Sequence, residues 1–188
     1  MSPMKLVLAL AMAFAVIGGC GGPSAKEVRS ARTAEYFAPP KHLLDLALQV
    51  TQFDYKIGAI DIDGLKFETK PQWYTQNGGR LSANEDLNGE YVNAGANRPS
   101  APQADGSLRR SDGSDFLVSL IVKVRLIGTD RAMVEVIPRT WQMIPASPQP
   151  RELKPDDPYL PGWVQGRVDA LSVAIYDQAK KRYLPPGG

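Results

Sequence analysis

The chain of 188 residues contains one cysteine and one histidine. A lone Cys20 can form neither an internal disulfide nor a thiolate cluster, and a lone His42 can build no histidine metal site. Charge of one sign is also missing. The 22 Lys and Arg nearly cancel the 20 Asp and Glu, leaving a formal net charge of +2. Nucleic-acid binders carry a basic stripe or patch, so nucleic acid is not expected as a partner. No apolar run is long enough to cross a bilayer: Leu6 to Ile17 spans about 12 residues, where a helix needs about 20. No phosphate loop or Gly-x-Gly-x-x-Gly follows a strand pattern, and no serine stands in a nucleophile elbow. An enzyme, a cofactor and a metal are therefore not expected.

Weaker hints of chemistry have plainer readings. His42, as a general base, needs a nucleophile and an orienting carboxylate, and the sequence offers neither. It reads as a surface residue at the start of a helix. Asp61 and Asp63 are two apart and would share a strand face. Asp63, however, belongs to a turn, and Asp61 reads as a solvated residue beside it. Asp156-Asp157 sits among prolines and reads as turn chemistry.

What the N-terminus does have is informative. Lys5, the apolar run and Ile17-Gly18-Gly19-Cys20 resemble a bacterial lipoprotein signal peptide, with the small-residue box ending in cysteine. The resemblance implies cleavage after residue 19, acylation of Cys20 and a firm tether, since stable anchoring takes at least two hydrophobic signals. An ordinary secretory leader with a chance cysteine, or a short membrane anchor, is the alternative. Gly21 stands where the enteric family places an inner-membrane retention aspartate. By that resemblance the anchor lies in the outer membrane, with the domain on its periplasmic face.

About 170 residues remain after cleavage, a size suited to one domain. Residues 20–30 read as lipidated Cys20 and a flexible tether, and residues 31–188 as a single α+β domain. Arg32 to Phe37 is a plausible first strand, stopped by Pro39 and Pro40. Proline suits the first turn of a helix, and Leu43, Leu44, Ala47, Leu48 and Val50 follow at helical spacing. The period then becomes two: Tyr55, Ile57 and Ala59, then Leu65, Phe67 and Thr69 beyond Asp63-Gly64. That is a hairpin signal, with a tight turn needing positive φ at its central residues. Residues 76–115 are rich in Gly and Asn and read as a long insertion. Phe116 to Ile127 and Met133 to Met143 are the clearest strands. Pro138 inside the second argues for a bulge or an edge. The Pro-rich segment 145–161 favours extended chain that cannot enter a sheet interior. From Gly162, Val164, Val168, Leu171, Ile175 and Ala179 mark an amphipathic helix whose last turn carries Lys180, Lys181 and Arg182. The expected architecture is an antiparallel sheet packed against two helices, in the order β-α-β(n)-α.

Thr33-Ala34-Glu35-Tyr36, the proline-started helix and Tyr55-Lys56-Ile57 through Phe67-Glu68-Thr69 to Trp73 resemble the helix-grip domains of envelope lipoproteins, such as the BamC-type lipoproteins of the outer-membrane β-barrel assembly machinery. The lipopolysaccharide-assembly lipoproteins of LptE type are a rival resemblance, similar in length and also mixing a small sheet with two helices. Both imply a non-enzymatic subunit or scaffold with an envelope protein partner, held to the membrane by N-terminal acyl chains. A carrier of lipid or another hydrophobic ligand, held between sheet and last helix, is the alternative. Trp73, Tyr74, Trp141 and Trp163 are the candidate partner-binding residues, because large aromatics anchor interfaces. Their other reading is core.

Overall fold

The computed structural model describes residues 22–81, 115–143 and 150–183. Within them the chain is α+β, with three helices packed on a six-stranded, open antiparallel sheet. Cys20 and most of the 76–115 insertion lie outside the described residues.

Where a tether and a first strand were expected, there is a helix, α1, at Ala25–Thr33. Ser24 starts it with a capping box: its hydroxyl accepts from the Glu27 amide at 3.3 Å, and the Glu27 carboxylate accepts from the Ser24 amide at 2.8 Å. The expected strand shrinks to one bridge, in which Tyr36 and Ala132 exchange both backbone bonds at 2.8 and 3.0 Å. Pro40 opens the second helix, α2 (Pro40–Thr51), which buries Leu43, Leu44, Leu46 and Ala47. His42 is exposed on it.

β1 (Ile57–Asp61) and β2 (Lys66–Thr69) form the expected hairpin. Its turn is not the expected one: positive φ falls on Leu65, at 50°, and not on Gly64. Gly64 is required for close approach instead. Its amide donates to Asp61 Oδ1 at 2.8 Å, and a Cβ there would lie 2.3 Å from Asp61 Oδ2. β3 (Gln72–Tyr74) follows β2 end to end, both strands pairing with β4 (Phe116–Ile127). A turn with Gly128 at φ 71° joins β4 to β5 (Arg131–Gln142), and the two pair without a break from Phe116↔Gln142 to Ile127↔Arg131. Pro138 therefore sits in no bulge. β6 (Arg151–Leu153) comes from the Pro-rich segment and adds to the outer side of β5 only over Thr140–Gln142.

The last helix, α3 (Gly162–Tyr183), crosses the sheet with α1 on its β5 side and α2 over β4. Its apolar stripe is the one the sequence spells. Val164, Val168, Leu171, Ile175 and Ala179 are all buried, with Phe67, Leu120, Val122 and Val124 of the sheet in the same core cluster. Each large aliphatic side chain removed from water in this layer contributes about 1.5–3 kcal/mol. These side chains pack α3 against β2 and β4.

Candidate functional site

The period of the strands divides the four aromatics between two faces. In the register of β3, β4 and β5, Tyr74 opposes Phe116, while Trp73, Leu117 and Trp141 share a rung. Neighbours along a strand point to opposite faces, so Tyr74 faces the helices and the Trp73 rung faces away.

Tyr74 is buried, its ring centroid 5.2 Å from that of Trp163, and Phe116 meets the same indole edge-on at 6.1 Å. The Arg167 guanidinium lies 4.2 Å from the Tyr74 centroid and donates to the Gly78 carbonyl at 2.8 Å. Trp163 Nε1 donates to the Gln76 carbonyl, also at 2.8 Å. These contacts latch the turn after β3 onto the start of α3. A partner cannot reach the Tyr74 ring.

Trp73 and Trp141 are half-buried on the other face, flanking Leu117. The Arg139 guanidinium lies 4.8 Å from the Trp141 centroid and pairs with Glu68 at 3.4 Å and Glu152 at 3.8 Å. Ser119, fully buried, donates to Glu68 at 2.6 Å. Among the described residues no helix packs on this face. The network orders the charged side chains there, but exposed pairs of this kind contribute little stability.

A third feature was not anticipated. Antiparallel strands point the N–H and C=O of alternate residues to opposite sides. Ala132 gives both of its groups to Tyr36, so Val134, Val136, Pro138 and Thr140 also face away from β4. Thr140 is opposed by Leu153 of β6. Between these two ends, Val134, Val136 and Pro138 have no strand partner among the described residues. Pro138 fits because its missing N–H falls on the unpaired side and costs no bond to β4. A groove of about 360 Å³ follows this gap. Val134, Val136 and Val168 form its apolar walls, and Arg32, Arg125 and Gln165 stand at its rim. Arg32 is paired with Asp169 at 2.6 Å. Arg125 has no carboxylate partner among the described residues; its guanidinium instead meets the Met133 sulfur at 3.0 Å. The groove exists because the sheet is short by one strand there, with both sheet faces reaching its lining. The sequence signal that could have pointed to it was Pro138 in an otherwise perfect strand.

The carboxylates with depressed pKa values serve a cap and two turns: the Ser24 hydroxyl and amide hold Glu27 below the usual range at the start of α1. The Gly64 amide holds Asp61 below the usual range, with Lys66 assisting. The Tyr159 amide does the same for Asp157, with Arg151 assisting. Burial raises the Tyr36 phenol, with Tyr176 and Asp177 adding to the effect. None of these groups lines the β5 groove. Among the described residues no three His, Cys, Asp or Glu side chains converge as a metal site. Among the same residues no helix is long and apolar enough to cross a membrane. No protein-family model and no curated protein sequence matches this chain.

Proposed function

We propose that this chain is an envelope lipoprotein, anchored through Cys20, that acts as a non-enzymatic subunit or scaffold and receives its protein partner at the free edge of β5. The observation that carries this reading is the gap in the sheet between Tyr36 and β6. There, backbone groups of Val134 and Val136 face outward into a groove with apolar walls. An extended peptide added to a sheet edge draws affinity from main-chain hydrogen bonds and specificity from pockets for alternate side chains. Arg125 at the rim, without a carboxylate partner among the described residues, favours a segment with a carboxylate on the side that meets it. The lipobox supports the membrane anchor, and Gly21 supports the outer membrane. Over β2 and β4 the space under α3 is taken by core side chains, and the room that a carrier would need lies at the β5 edge, in the same groove; the unpaired backbone there favours a peptide over a lipid.

The test is affinity purification from native membranes in mild detergent, using a C-terminally tagged chain with Val136→Pro and Cys20→Ala variants. Val136→Pro removes an outward N–H and leaves the β4 ladder intact. One envelope protein in stoichiometric amount, lost with Val136→Pro and reduced with Cys20→Ala, is the expected result. A partnerless protein that carries lipid would reject the scaffold in favour of the carrier.

A further inference from the structure

We infer that one pole of the domain is a membrane-docking surface, which lays the end of the sheet against anionic headgroups beside the anchor. This rests on the lipoprotein reading of Cys20.

Several elements converge on that pole. The Phe37 amide bonds the Tyr183 carbonyl at 3.0 Å, so the end of α3 lies beside the Tyr36–Ala132 bridge. Ala132 opposes Leu126, which places the β4–β5 turn at the same end. The Val124 amide donates to the Leu65 carbonyl at 2.8 Å, which brings the β1–β2 turn there too. Helix α1 runs antiparallel to α3. Arg32 pairs with Asp169 near the start of α3, while the Glu27 charge acts on Lys180 near its end. The start of α1 therefore lies at this pole, and only four residues, or five Cα-to-Cα steps, separate it from Cys20. Five such steps reach at most about 18 Å, so an acylated Cys20 holds this pole, and no other, close to the bilayer.

The surface chemistry suits that position. Six large hydrophobic side chains are exposed among the described residues, and four belong to this end: Phe37 at 51%, Ile60 at 51%, Ile62 at 55% and Leu126 at 55%. Exposed carboxylates here are mostly engaged: Glu27 caps α1, Asp177 pairs with Lys180, Glu35 and Asp130 with Arg131, and Asp61 with Lys66. Lys26, Lys41, Lys181 and Arg182 have no carboxylate partner among the described residues, against Asp63 and, one turn along α2 from Lys41, Asp45. Apolar side chains amid surplus Lys and Arg make up the composition that seats a protein at the headgroup boundary, and basic residues are drawn to anionic lipid within a Debye length. A lipid anchor combined with such a patch fixes orientation as well as location.

The test uses the lipidated full chain reconstituted into phosphatidylethanolamine–phosphatidylglycerol vesicles that contain a lipid with a headgroup spin label. A fluorophore is placed at Thr129→Cys in the β4–β5 turn or, as the distal control, at Phe53→Cys. Phe53 follows α2 at the far end, where Arg80 reaches the Asp54 carbonyl. Acylated Cys20 leaves one thiol to label. Two labels per chain would overturn the lipoprotein reading itself. With one label, quenching several-fold stronger at 129 than at 53 supports docking. Lys181→Glu with Arg182→Glu is then expected to lower the docked-to-free ratio at least about tenfold, and Ile62→Ser with Leu126→Ser to lower it likewise. Equal quenching at the two positions, or a preference unchanged by both pairs of substitutions, would overturn the docking inference and leave the anchor standing.

Discussion

Gly78 lies flat against the indole of Trp163, so closely that a Cβ on the glycine would come within 2.9 Å of two ring carbons. The backbone there has φ of 79°, which side-chain-bearing residues adopt only at a cost. Gly78→Ala must therefore strain the backbone and push the indole off Tyr74 and Phe116. The expected loss is about 2–4 kcal/mol, a fall in Tm of roughly 5–10 °C. Thermal melting followed by circular dichroism checks this. A variant melting with the parent would show that the latch after β3 contributes nothing to stability.

Two buried threonines are expected to respond in opposite ways to the same substitution. Thr69 accepts from the Leu120 amide at 2.9 Å, so Thr69→Val leaves a buried N–H without a partner. Thr140 Oγ1 is buried with no partner among the described residues. An unmet buried group costs about 1–3 kcal/mol, and replacing one with a methyl removes that cost. Urea titration should show Thr69→Val destabilised by about that amount and Thr140→Val unchanged or more stable. Equal losses in the two variants would mean that shape, and not hydrogen bonding, governs both sites.

Much of this fold is legible in the sequence, because its main elements obey a single period. The stripe of α3 and the alternation of β4 each hold over many residues, so no competing pattern survives. Short elements fare worse. Arg32 to Phe37 looks like a strand, yet Ala31, Ala34 and Tyr36 are buried as the end of a helix and one bridge. The capping box Ser24-x-x-Glu27 was there to be read and marks where that helix begins. Trp73 and Tyr74 are adjacent, and strand period alone assigns them to opposite faces, so they could never have lined one groove. The free edge of β5 is a different kind of feature. It depends on where Tyr36 leaves the sheet and where β6 joins it, and both are long-range pairings that no local pattern encodes.

Pro138 is expected to guard that edge. An unpaired strand edge is a template for pairing with another chain, and a proline there blunts it. Pro138→Val restores an outward N–H without changing any bond to β4, so the fold should be kept. Self-association should increase, measured as mass by light scattering across a concentration series. A strictly monomeric variant at every concentration would show that the flanking helices, and not the proline, protect the edge.

The Tyr36 phenol links stability to alkaline pH. Burial raises its pKa well above the usual value near 10, with the neighbouring Tyr176 and Asp177 working in the same direction. Below pH 10 the phenol is protonated in folded and unfolded chains alike, so its full contribution is present. Above that, the unfolded chain releases the proton while the folded chain holds it. The folded state then binds more protons, and stability falls as pH rises. Tyr36→Phe removes this linkage. Every other ionisable group is common to both proteins, so the difference between parent and variant isolates the phenol. That difference should stay flat up to about pH 9.5, then shift in favour of the variant by up to about 1.4 kcal/mol per pH unit. Urea denaturation between pH 8 and 11 measures it. Parallel curves would mean that the phenol ionises in place, and that the contact between Tyr36 and the end of α3 opens to water.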